Sequence, residues 1–362
     1  MKKIFIHVGF HKTATTWFQN QFFPQHPQVV QLGKNPHTRL PEDIALNKKL
    51  QSEPDLSFST EECRELVKRI ERKKPLDGKV YGLSNEGLSA GRDWFGSSPL
   101  YVADRLKKVF KDHDVKIIIG IRNQPSMLAS LYNEYVRQGG TLTLKKLLFS
   151  PNPTSQALRH KFLYHKFIKY YQQQFGKQNI HTYIFEELQK KPQKTTNNIC
   201  DFLNIKRISN TRTRRANQGI SKVTVTLLRI ANMLCSTNLN TAHISPFTLL
   251  ASVIARITFI FRKATETLDV LKPLSKRLTK NMHGKKPRYI EIYWYENVLN
   301  KKMKGALKMT LLTLDKVLFL KNIFGKYRIN KNLKRYLQKH YKEDNKKTEK
   351  LLDKNLKQYG YY

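Results

Sequence analysis

Four short apolar runs rich in β-branched residues, at 4–8, 80–83, 115–121 and 180–185, recur along the chain with helical patterns between them. A strand that is apolar on both faces has to be covered on both, and a parallel sheet joined by crossover helices does this most economically. The alternation therefore predicts an α/β, doubly wound fold whose ligands sit at the carboxyl ends of the strands. Glycines and polar residues directly after each run become the first candidates for chemistry.

At 362 residues the chain can hold one large domain or a core with an appended element. Residues 36–77 are polar and helix-prone, and read as a helical insertion between the first two strands. After Arg212 the strand signals stop and basic, apolar helical segments take over. The expected division is an α/β core at 1–211 and a mainly helical, basic region at 212–362 that completes the fold and shapes acceptor or membrane contact. The most apolar stretch, 247–261, carries Arg256 and is shorter than the ~20 residues that span a bilayer, so it reads as a buried or interfacial helix. Its basic neighbours, among them Arg262, Lys263 and Lys272, keep docking on anionic lipid as an alternative. The tail, 332–362, reads as solvated helices with one narrow apolar stripe.

Lys and Arg number 67 against 27 Asp and Glu, a formal net charge of +40 that draws anionic partners. Nucleotide, acidic glycan, nucleic acid and anionic lipid all qualify, so charge alone names no function. Cys63, Cys200 and Cys235 lie far apart without a C-x-x-C spacing, which fits neither a disulfide framework nor a zinc site and suits a reducing, cytoplasmic setting. The opening Met1-Lys-Lys-Ile-Phe-Ile-His-Val imitates a signal sequence, but His7 and Gly9 break its apolar run too early, and it reads as the first strand.

The stretch Gly9-Phe-His-Lys-Thr-Ala-Thr-Thr16 joins that strand to a helical run. Amides of a first helical turn have no intrahelical partner and point at whatever occupies the loop, a geometry that favours phosphate or sulfate. Gly9 lets the backbone turn away from the strand, and Lys12 adds a mobile ammonium. A Walker A loop, G-x-x-x-x-G-K-[ST], would require glycine at positions 6 and 11, where the chain has Ile6 and His11. That reading fails at both.

The loop does resemble the signature of the sulfotransferases that use 3′-phosphoadenosine 5′-phosphosulfate (PAPS), G-x-x-K-[TS]-G-T-[TS], at Gly9, Lys12, Thr13, Thr15 and Thr16. It departs at Ala14, where the family has glycine; alanine accepts a helical φ readily but not a left-handed one. The resemblance implies a P-loop-like three-layer fold with a central parallel sheet flanked by helices, and a cofactor site at Gly9, His11, Lys12, Thr13, Ala14, Thr15 and Thr16. It also implies a second anion site for the 3′-phosphate, an Arg at a strand end and a Ser eight residues on, matched here by Arg122 and Ser130. A guanidinium makes bidentate bonds to phosphate and a hydroxyl can add another. Recognisable pieces cover about residues 1–205, and EDNKKTEKLL with the closing YGY is similar to the tail of bacterial members.

Sulfuryl transfer to a hydroxyl needs a base for the acceptor proton and stabilisation of the leaving oxygen. Lys12 suits the second task. For the first, Glu86 follows the strand 80–83 and resembles the glutamate of the carbohydrate-sulfotransferase-like branch, with His11 as the runner-up. Asn217 and Gly219 are weaker cofactor candidates. The expected reaction moves a sulfuryl group from PAPS to a hydroxyl of a glycan or lipid-linked saccharide, with no metal and no nucleic-acid partner, in the cytoplasm or peripherally at an anionic membrane. The alternatives are an ATP-dependent phosphotransferase, which lacks its Walker glycines, and a basic nucleic-acid- or membrane-binding protein, which leaves the paired anion motifs unexplained.

Overall fold

A computed structural model describes residues 1–33, 39–89, 100–209, 220–234, 308–313, 315 and 320–362. The chain packs as two compact units, one formed by Met1–Leu131, Thr143–Gln218 and Arg328–Tyr362, the other by Tyr132–Leu142 and Gly219–Tyr327. By contacts, then, the closing residues fall with the strands rather than with the helical region that precedes them.

The first unit is built on a five-stranded parallel sheet of β1 (Lys2–His7), β2 (Val29–Gly33), β3 (Val80–Ser84), β4 (His113–Ile121) and β5 (Ile180–Ile184), in the order β2-β3-β1-β4-β5. The four expected strands form where the apolar runs lie, and helices flank the sheet, giving the three-layer, P-loop-like fold. β2 is an addition to them. It sits at the sheet edge, only five residues long with Gln31 at its centre, and such a short, interrupted run gives little periodic signal. The stretch before β3 is helical at Pro41–Ser52 and Thr60–Lys73, and therefore lies between the second and third strands in sequence.

From β1 the chain moves toward one edge, through β2 and β3, and from β4 toward the other, so the crevice at the carboxyl ends of β1 and β4 is a topological switch point. Register places His7 opposite Ser84 on one side and Ile118 on the other. Against one face, Phe5, Phe18, Phe22, Phe23 and Tyr183 form an aromatic core. Gly82 of β3 makes room for it, since a β-carbon there would run into the Phe5 ring.

In the second unit, the helix Lys222–Leu234 starts from Ser221, whose N–H donates to the Asp315 carboxylate, which also accepts from Thr224 Oγ1 at 2.7 Å. Asn232 donates to the carbonyls of Val136 and Gly140. No helix of the described residues is long and apolar enough to cross a membrane. The apolar stretch 247–261 and its basic neighbours lie outside the described residues.

Candidate active site

Beyond β1 the backbone keeps touching β4, with Val8 N–H donating to the Ile118 carbonyl at 2.8 Å and Phe10 N–H to that of Gly120 at 3.3 Å. Phe10 is fully buried, its ring packed on Phe162, Tyr164 and Phe167, and anchors the loop to the core. The loop then folds back on itself: Thr13 N–H and Thr13 Oγ1 both donate to the Phe10 carbonyl, the latter at 2.5 Å. Gly9 is required by crowding, because a β-carbon would stand 2.5 Å from Thr15 Cγ2 and 2.9 Å from His7 Nε2.

Two loop residues take the left-handed backbone region, Lys12 at φ 67° and Ala14 at φ 74°. The second is the position where the family pattern has glycine. Ala14 thus follows the path that a glycine would take, at a cost of about 1–2 kcal/mol for an L-residue. A helix follows directly at Thr15–Trp17, passes through a π-helical stretch at Phe18–Phe22 and closes as Phe23–Gln25. Among the described residues nothing accepts a hydrogen bond from the amides of Ala14, Thr15 or Thr16. Thr15 is buried and Thr16 is exposed.

Arg122 stands at the end of β4 and reaches the loop. Its Nη1 donates to the Lys12 carbonyl at 2.9 Å, its Nε to Ser126 Oγ at 3.0 Å, and its guanidinium lies 4.4 Å from the Phe185 ring centre. Two of the group's five N–H donors are so used, and among the described residues Nη2 has no acceptor. Burial weakens the charge, pulling the Arg122 pKa below its ordinary value, while nearby Glu186 acts the other way. Ser130 lies one turn beyond Ser126 in the helix Gln124–Arg137, half-buried; it is Ser126 that touches the arginine.

The start of that helix is held from below by the end of the chain. Glu186 accepts from Asn123 N–H at 3.0 Å and from Tyr361 Oη at 3.3 Å, and Asn123 Nδ2 donates to the Gly360 carbonyl. Asn345, on the helix Lys331–Leu352, exchanges hydrogen bonds with Gln124 and donates to the Tyr361 carbonyl at 2.8 Å. The closing Tyr-Gly-Tyr is therefore packed beneath the arginine.

Glu86 opens a short 3-10 turn, Glu86–Ser89, after β3. Buried Gln19, in the π-helical stretch, donates through Nε2 to both Glu86 Oε2 and the Ser84 carbonyl at 3.1 Å. Ser89 Oγ bonds the Gly9 carbonyl at 3.2 Å, tying the turn to the loop. Asn85 is held by Asn47 at 2.9 Å and accepts from Gly87 N–H at 3.0 Å, so the helix Pro41–Ser52 braces the turn. Beneath all of this, His7 joins Ser84 and Tyr183, and Tyr183 bonds the Thr13 carbonyl.

Of the sequence candidates, the structure joins Lys12 and Arg122 by a direct bond, ties Thr13 to Phe10 within the same loop, and bonds Gly9 to Ser89 of the turn that Glu86 opens. Asn217 and Gly219 lie outside the described residues. Sequence reasoning passes over Gln19, Ser89, Ser126, His7 and Tyr183. A polar residue inside an apolar strand is the available signal for His7 and Tyr183; the others carry none.

A parallel sheet with a strand-to-helix loop at its switch point, bonded by an arginine from the end of the neighbouring strand, defines a P-loop-like protein. The chain belongs to the sulfotransferase domain family, whose model matches residues 2–226, and its activity is accordingly sulfuryl transfer. A comparison with curated proteins finds no match. Among solved structures it is similar to a sulfotransferase from Alicyclobacillus acidocaldarius, at 19% identity and a TM-score of 0.43 over 59% of this chain and 86% of that one. It is also similar to the sulfotransferase domain from the curacin biosynthetic pathway (13% identity, TM-score 0.35, 60% and 78% covered). A third is mouse sulfotransferase SULT7A1 complexed with PAP (13%, 0.34, 76% and 88%).

Proposed function

We propose that the protein transfers a sulfuryl group from PAPS to a hydroxyl of a glycan or lipid-linked saccharide, with Lys12 stabilising the leaving group and Glu86 as general base. The observation that supports the reading is the 2.9 Å bond from Arg122 to the Lys12 carbonyl, which brings the two candidate anion motifs next to each other. A donor with phosphates at both its 5′ and 3′ positions needs two such sites, and ATP does not.

The side chains fit that donor. The amides of Ala14, Thr15 and Thr16 suit its 5′-phosphosulfate, while Arg122 retains Nη2 for the 3′-phosphate and Ser130 offers a hydroxyl on the same helix. When bound, PAPS supplies a sulfuryl group on a phosphate leaving group. Lys12 neutralises charge developing on that phosphate, which is where an electrostatic contact accelerates transfer. Glu86, its carboxylate oriented by Gln19, takes the acceptor proton. The setting is the cytoplasm, with peripheral docking on an anionic membrane where the acceptor is lipid-linked.

The test is incubation of the purified protein with sulfur-labelled PAPS and a panel of glycans and lipid-linked saccharides. Label should move to the acceptor, and 3′-phosphoadenosine 5′-phosphate (PAP) should compete while ATP should not. Competition by ATP with no affinity for PAP would defeat the reading.

A further inference from the structure

We propose that Tyr183, oriented by His7, is a positioning residue that pins the Thr13 carbonyl and thereby holds the Ala14 N–H in its anion-binding direction; this rests on the loop being the donor site.

A single hydrogen-bonded chain crosses the sheet under the loop. Ser84 at the end of β3 lies 2.8 Å from His7 Nδ1, His7 Nε2 lies 3.1 Å from Tyr183 Oη, and Tyr183 donates to the Thr13 carbonyl at 2.9 Å. His7, Ser84 and Thr13 are 0% exposed and Tyr183 is 1% exposed, so each lost bond would leave a polar group without water. The direction of the chain follows from its last link. The phenol proton is committed to Thr13, so Tyr183 accepts from His7 Nε2–H, and His7 Nδ1 accepts from the Ser84 hydroxyl. Burial holds the imidazole neutral, with a pKa of about 3, which this arrangement requires.

Space for the chain is reserved by two glycines. A β-carbon on Gly120 would run into Tyr183 Oη and stand 2.9 Å from Thr13 Oγ1, and one on Gly9 would stand 2.9 Å from His7 Nε2. β4 contributes no side chain at that point, so a tyrosine from β5 can reach across it to the loop.

The peptide between Thr13 and Ala14 is planar and trans, so its C=O and N–H point in opposite directions. Fixing the Thr13 oxygen on Tyr183 turns the Ala14 N–H away from the core, beside the amides of Thr15 and Thr16, and among the described residues nothing accepts from these three. The same tether opposes the natural relaxation of Ala14, which at φ 74° sits where an alanine is unfavourable and a glycine is not. With alanine in place of the family glycine, the loop depends on its anchor.

A double-mutant cycle on PAP affinity tests this, using Tyr183→Phe and Ala14→Gly singly and together. Tyr183→Phe should weaken PAP binding about tenfold with Ala14 present and no more than about threefold in the Ala14→Gly background, because glycine holds the left-handed conformation without the tether. Equal losses in the two backgrounds would overturn the proposal while leaving the PAPS assignment standing. Failure of the parent protein to bind PAP would overturn both. Should Tyr183→Phe not fold, His7→Leu cuts the chain at its middle and gives the same cycle, with the same two readings.

Discussion

Arg122 Nη1 lies 2.9 Å from the Lys12 carbonyl oxygen, so an arginine at the end of β4 and a lysine in the loop after β1 share one rigid connection. The bond holds the loop's shape, and in the proposed donor site the remaining donors of Arg122 serve the 3′-phosphate. Arg122→Ala should therefore raise the PAPS KM by about ten- to a hundredfold, the worth of a lost charge-assisted hydrogen bond, and should also lower Tm. Arg122→Lys should not restore affinity, because a compact ammonium lacks the planar fork that spreads donors toward Lys12, Ser126 and a phosphate. Initial-rate kinetics and thermal unfolding check both; a variant with an unchanged KM would remove Arg122 from the donor site.

Ala14→Gly should leave the protein as stable or stabilise it by up to about 1 kcal/mol, since relief of about 1–2 kcal/mol of left-handed strain exceeds the backbone entropy that glycine loses on folding. The methyl group's packing against the aromatic core limits the gain. Denaturant midpoints at constant m-value measure the difference.

Glu86→Gln should abolish turnover and leave PAP affinity unchanged, because Gln19 can still donate, though less strongly, to a glutamine amide oxygen and the turn keeps its place. Gln19→Ala should lower kcat about tenfold at constant PAPS KM, since it lets the carboxylate rotate without touching the loop. Steady-state kinetics with saturating acceptor separate the two effects. Normal turnover in Glu86→Gln would move the base elsewhere.

Acid should destabilise the fold through His7. Burial lowers its pKa from 6.5 to about 3, against a weaker raising influence of Glu86. Between those values the unfolded chain binds a proton that the folded one refuses, so stability falls as pH drops from 6.5 toward 3. His181, lowered to about 4 by burial, acts in the same sense. Replacing His7 with Gln should make the stability–pH slope in that window shallower by up to about 1.4 kcal/mol per pH unit. Urea titrations at a series of pH values give the slope.

Tyr361→Ala should cost about 3–5 kcal/mol, as for a fully buried aromatic, and should weaken PAP binding by releasing Glu186 and with it Asn123 beside Arg122. Tyr361→Phe, which removes only the 3.3 Å hydroxyl contact, should cost about 1 kcal/mol. Calorimetry together with PAP titration distinguishes them.

The sheet was legible in the sequence because a strand buried on both faces must be apolar throughout, and four such runs mark β1, β3, β4 and β5. The strand-to-helix loop was legible for a similar reason: Gly9, Lys12 and the threonines lie within a few residues of one another, so they show as a local pattern between β1 and the helix that follows. Only the tertiary structure decided what those residues rest on. Arg122 chose Ser126 and the Lys12 carbonyl, Gln19 met Glu86, Tyr183 reached Thr13 across Gly120, and Tyr361 closed under Asn123. Each of those pairs joins different segments of the sequence, or picks one hydroxyl among neighbours, and single-residue chemistry says nothing about either. The left-handed Ala14 shows both sides at once. Its identity was readable as a departure from a pattern, but whether the backbone would follow the glycine path depended on a tyrosine from the far strand.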